Sequence, residues 1–128
     1  SEAHLVLHQM LDMYAETGSP IPEAAHFATV MNAWTKSGQM RIAAEKVQDL
    51  LIRMEQLHDS GHAHLKPNQQ CYTMVIDAWA KSHVPGAAQY AEEILKRMQQ
   101  VYLHPATESE QPLSAYGYNA VMAAYARS

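Results

Sequence analysis

"VMNAWTKS" at Val30–Ser37 returns as "VIDAWAKS" at Val75–Ser82, and returns altered as "VMAAYARS" at Val121–Ser128. Val75 lies 45 residues after Val30, and Val121 a further 46. Working outward, Phe27, Val30, Met31 and Trp34 match Tyr72, Val75, Ile76 and Trp79, which match Tyr118, Val121, Met122 and Tyr125. Each set falls at i, i+3, i+4 and i+7, the stripe of an amphipathic helix. A small residue recurs between the large ones, at Ala33, Ala78 and Ala124. It lets a neighbouring helix approach closely. This unit is helix A.

A second unit follows. "AAEKVQDLLIRM" at Ala43–Met54 answers "AAQYAEEILKRM" at Ala87–Met98, with Val47, Leu50, Leu51 and Met54 matching Ala91, Ile94, Leu95 and Met98 at an offset of 44. Ala3, Val6, Leu7 and Met10 fit the same pattern 44 residues earlier. This is helix B, and the order along the chain is B, A–B, A–B, A. Glycine and proline break the chain between A and B, at "GQMRI" and "HVPG". Longer linkers join B to the next A and close on Pro22, Pro67 and Pro112, just ahead of a helix. One A–B hairpin cannot cover its own apolar faces, so each must stack on the next.

The pattern therefore predicts an all-α fold, an α-α superhelix (solenoid) of stacked antiparallel helix pairs with about six helices. Its parts are a helix B over residues 1–17, repeats over 22–66 and 67–113, and a helix A over 114–128. Neither end reads as a polar cap. Val6, Leu7 and Met10, or Val121, Met122 and Tyr125, are expected to lie partly bare, as in a segment of a longer array.

Composition bounds the function. The 128 residues carry 48% hydrophobic side chains and few glycines or prolines, which excludes a disordered chain. The single cysteine, Cys71, excludes an internal disulfide and is compatible with a reducing compartment. No apolar run approaches the roughly 20 residues of a membrane span. Nine Lys and Arg against 13 Asp and Glu give a net charge of −4, which counts against a polyphosphate ligand unless the charges are segregated.

The residues resemble the pentatricopeptide repeat (PPR) family. Its pattern is an aromatic, one variable residue, a small apolar run, Asp-Ala-Tyr-Ala-Lys, a turn, then Ala-Glu-x-hydrophobic-Leu-x-x-Met, closing on Lys-Pro-Asp/Asn. "CYTMVIDAWAKS", "AAQYAEEILKRM" and "LKPN" at Leu65–Asn68 fit it, and the resemblance covers essentially the whole chain. The chain departs in having repeats about ten residues longer than the family's usual length of about 35, in Trp34 and Trp79 where Tyr or Leu is usual, and in its acidity. The resemblance implies a non-catalytic module that binds single-stranded RNA one base per repeat. It implies work in RNA processing, stability or translation, in a mitochondrion or plastid, with no cofactor, no membrane and no small-molecule substrate. Carried over, the base-reading positions are Ala28, Thr73 and Asn119 after each aromatic. The closing positions are Asn68 and Ser114 (or Leu113), with Glu23 closing the repeat whose start is missing. In the family Thr leans towards purines and Asn towards pyrimidines, but no complete standard pair is present. Lys36, Lys81 and Arg127 recur near each A-helix C-terminus, where the resemblance implies phosphate contacts. Cations also stabilise helix C-termini without any ligand, by about 0.3–1 kcal/mol. The alternative is a protein-protein interaction scaffold of tetratricopeptide type, which the acidic balance favours.

Other candidates are weaker. His58, His62 and His64 with Asp59, and His4 with His8, have ligand-like spacing but no orienting partners visible in sequence, and metal is not expected. Cys71 at a helix start could have a lowered thiol pKa; a small buried residue is the default. Trp34 and Trp79 read as core. Neither a nucleophile triad nor a phosphate-binding glycine loop emerges.

Overall fold

The computed structural model describes residues 2–19, 21–62, 65–102 and 115–127. Six helices follow in order: α1 (Glu2–Thr17), α2 (Ala24–Thr35), α3 (Met40–Asp59), α4 (Gln69–Ser82), α5 (Ala87–Tyr102) and α6 (Ala115–Arg127). No strand occurs among the described residues. Helices α2, α4 and α6 are the A units; α1, α3 and α5 are the B units.

The helix ends follow from local chemistry. Asn68 sits just before α4 and its Oδ1 accepts the Cys71 N–H at 2.9 Å, satisfying one orphan donor of the first turn. Helices α2 and α4 are closed by serine. Ser37 Oγ donates to the Trp34 carbonyl and Ser82 Oγ to the Trp79 carbonyl, each at 2.7 Å. Those same hydroxyls accept the N–H groups of Gln39 and Val84, each at 3.3 Å. The final residue of the repeated octapeptide thus turns the chain. Gly38 at φ 81° and Gly86 at φ 82° complete the two reversals with a backbone shape that side chains resist. The short connections force α2 against α3 and α4 against α5 as antiparallel pairs.

Packing then makes the superhelix. Helix α4 is the hub, touching α2, α3, α5 and α6. The A helices also pack on one another, α2 on α4 and α4 on α6, whereas α1, α3 and α5 do not come together in the same way. A ribbon of hairpins held close along one layer and splayed along the other curves towards the close layer, so the A helices line the inner side. Phe27, Met31, Val47, Leu51, Met54, Tyr72, Ile76 and Met98 fill the core between the layers. Trp34 and Trp79 are buried with them, as their stripe position predicts.

Two details differ from expectation. Leu7 and Val121 are buried rather than bare, whereas Val6, Met122 and Tyr125 are exposed. Part of the extra repeat length is helical: α3 has 20 residues and runs on to Asp59, past Met54 where the repeated helix B motif ends.

Candidate nucleic-acid interface

On every A helix the residue after the aromatic and the recurring cation are eight positions apart, with a third residue midway. The rows are Ala28–Asn32–Lys36, Thr73–Asp77–Lys81 and Asn119–Ala123–Arg127. A spacing of four places each row on one helix face. These residues are exposed or half-buried, so the rows form ridges away from the apolar stripe. Charge is segregated between layers. The A helices and their caps carry Lys36, Lys81 and Arg127 against Asp77 and the N-cap Glu23, whereas the three B helices carry nine Asp and Glu against five Lys and Arg. A net acidic chain therefore has a mildly basic inner layer.

The three cations are regular in position and unequal in state. Lys36 caps the C-terminus of α2, is exposed, and has no ion-pair partner among the described residues. Lys81 Nζ lies 2.8 Å from Asp77 Oδ2, and that hydrogen bond and charge hold its ammonium above the ordinary lysine range. Tyr116 of α6 donates its hydroxyl to Asp77 Oδ1 at 3.2 Å, and the carboxylate raises the phenol's pKa. Arg127 Nη1 donates to the Ala80 carbonyl at 2.9 Å, tying α6 to the C-terminal end of α4.

The base-reading candidates are similarly uneven. Ala28 is half-buried and offers no polar atom. Thr73 donates its hydroxyl to the Gln69 carbonyl at 2.8 Å, leaving its oxygen lone pairs. Asn68 uses Oδ1 to cap α4 and keeps its amide N–H groups. Asn119 is exposed. Glu23 precedes α2, and its N–H donates to His26 Nδ1 at 2.9 Å. Ser114 and Leu113 lie outside the described residues, as does His64.

Sequence reasoning missed a second regular set, on the opposite face of helix A. Trp34 Nε1 donates to His4 Nδ1 at 2.8 Å, Trp79 Nε1 to Gln48 Oε1 at 2.7 Å, and the Tyr125 hydroxyl to Glu92. His4, Gln48 and Glu92 are spaced by 44, so each A-helix aromatic clasps the helix B before it at one repeated position. A second tie recurs as Tyr72 Oη to Glu55 Oε2 at 3.1 Å and Gln99 Nε2 to Tyr118 Oη at 2.8 Å. Its counterpart in the first copy is apolar, with Phe27 and Leu11 both buried. The signal was present as equal spacing, but polar residues in helix B carry no apolar stripe to draw attention.

Of the described histidines, His4, His8, His26 and His62 make structural contacts. Because an indole N–H only donates, His4 accepts at Nδ1 and carries its proton on Nε2, 2.9 Å from His8 Nε2. His62 Nδ1 meets the Tyr14 hydroxyl at 3.1 Å. No group of three or more potential metal ligands gathers among the described residues. Cys71 is buried, and burial pushes its thiol pKa up, the reverse of the activation that a helix start could give.

Fold and ridges together define an all-helical superhelix of stacked A–B pairs with an ordered, mildly basic inner face. Compared with known protein families, curated proteins and solved structures, the chain matches none. No described helix is long and apolar enough to cross a membrane.

Proposed function

We propose that this chain is a non-catalytic PPR-type array that binds single-stranded RNA along its A helices, one base per repeat. The observation that carries the reading is the register of Ala28–Lys36, Thr73–Lys81 and Asn119–Arg127 on neighbouring helices of the layer that holds the excess cations. A base reader and a phosphate partner per repeat is the arrangement that a one-nucleotide-per-repeat ligand requires. On this reading the protein serves RNA processing, stability or translation in a mitochondrion or plastid.

The scaffold alternative has its own support. Asp77 neutralises Lys81 and bridges to Tyr116, so the central ridge is closer to a protein-binding surface than to a phosphate track. Titrating the chain with single-stranded RNA pools across a salt series separates the two. Three phosphate contacts give a log–log slope of about −2, from roughly −0.7 per contact on single strands. Lys36→Glu is expected to weaken binding most, because Lys81 is ion-paired and Arg127 is tied to the Ala80 carbonyl, whereas Lys36 has neither tie among the described residues. No binding at low salt, or no change with Lys36→Glu and Lys81→Glu together, overturns the RNA reading and leaves the scaffold.

A further inference from the structure

His4 and His8 stand one turn apart on α1, with their Nε2 atoms 2.9 Å apart and ring centroids 4.7 Å apart. Imidazoles at i and i+4 share one helix face, the spacing by which a helix presents two nitrogens to one metal ion. Two ligand bonds of about 2.0–2.1 Å meeting at a right angle place their nitrogens about 2.9 Å apart, whereas a tetrahedral angle spreads them to about 3.3 Å. The observed separation fits neighbouring corners of a tetragonal or octahedral ion, Ni(II) or Cu(II), better than tetrahedral zinc. The pair borders a groove of about 540 Å³ with Glu2, Leu5, Trp34 and Lys46.

The repeat shows that the fold does not ask for this pair. The counterparts 44 residues on are Gln48 and Ile52. Gln48 accepts the Trp79 indole N–H as His4 accepts that of Trp34, and Ile52 has no polar side-chain atom. Gln48 and Ile52 are only half-buried although α3 has both α2 and α4 against it, so this face stays open within the array and is not a bare end.

We propose that His4 and His8 chelate a divalent transition-metal ion through their Nε2 atoms, water completing its coordination, and that the metal competes with Trp34 for His4. In the clasped form His4 accepts at Nδ1 and carries its proton on Nε2. A metal at Nε2 moves that proton to Nδ1, by exchange with solvent, and both imidazoles stay neutral. Nδ1–H then faces the Trp34 indole N–H, donor against donor, and the bond from α2 to α1 is lost. The ion thus loads α1 and loosens its tie to the next helix together. Glu2 favours the charge of the ion and Lys46 opposes it. The groove is built from B helices and Trp34, not from the A-helix ridges, so the site stands apart from the RNA reading.

Isothermal titration of the N-acetylated chain with Ni(II) tests this, acetylation removing the α-amine as a competing ligand. One equivalent should bind at His4 and His8. His8→Ala leaves the clasp intact and should weaken that equivalent about tenfold or more, as should His4→Gln, which keeps an acceptor for Trp34. Trp34→Phe removes the competing donor and should tighten Ni(II) binding about fivefold, while Trp79→Phe should leave it unchanged. Helical circular dichroism checks the fold of each variant. In the unsubstituted chain, NMR should show faster hydrogen exchange at the Trp34 indole on saturation with diamagnetic Zn(II). Equal Ni(II) affinity in wild type, His8→Ala and His4→Gln overturns the site. Unchanged affinity in Trp34→Phe, together with unchanged indole exchange, overturns the competition.

Discussion

Trp79 stacks on Tyr90 of the following helix B with centroids 4.6 Å apart, and reaches the preceding helix B through Gln48. One side chain therefore ties three consecutive helices. Trp79→Phe keeps most of the apolar contact but leaves Gln48 without its donor, and should cost about 1 kcal/mol in urea unfolding. Trp79→Ala also opens a cavity and should cost about 3–5 kcal/mol. Asp77 is the other residue where one change separates roles. Asp77→Asn removes an exposed i,i+4 ion pair, so unfolding should shift by no more than about 0.5 kcal/mol. The same change releases Lys81, and RNA affinity at low salt should rise several-fold in fluorescence anisotropy; unchanged affinity would remove Lys81 from the interface.

At the scale of one element, α1 is held to α2 by a bond with a protonation condition. His4 must keep Nδ1 unprotonated to accept from Trp34. Burial first, then the charges of His8, Lys46 and the chain's amino terminus, lower its pKa below 6.5, with Asp49 opposing. The folded value thus lies under the unfolded one. The stabilisation is complete above about pH 6.5 and is lost as pH falls from there through the folded value. Amide exchange in α1 should accelerate over that window. The repeat supplies the control: Gln48 makes the same bond without titrating, so His4→Gln should keep α1 docked and remove its contribution to the pH dependence. An unchanged acid response in His4→Gln would assign it elsewhere.

For the whole molecule, a stack of hairpins touching only near neighbours has stability that varies along its length. Helix α4 contacts four others and holds Tyr72, Val75, Ile76 and Trp79 in the core, whereas α1 contacts chiefly α2. Native-state hydrogen exchange should therefore protect α4 most and α1 least. Equal protection across all six helices would mean that the array opens as one unit.

The sequence by itself determined the architecture. A stripe of period 3.6 repeated every 44–46 residues has one economical solution, hairpins stacked in order, and the octapeptide carries its own packing residues and its own stop in Ser37 and Ser82. The ridge was legible for the same reason, since equal spacing in sequence becomes equal placement on parallel helices. Only the tertiary structure decided what those positions are free to do. Asp77 captures Lys81 and Tyr116, Arg127 turns to a backbone carbonyl of α4, and Asn68 caps a helix. The clasps of Trp34, Trp79 and Tyr125 to the preceding helix B, and the difference between buried Leu7 and exposed Val6, likewise depend on which way a side chain points across a helix interface. Periodicity fixes which face of a helix is apolar; the partner that meets each residue on that face is set by packing between helices, as in Trp34 with His4 at a separation of 30.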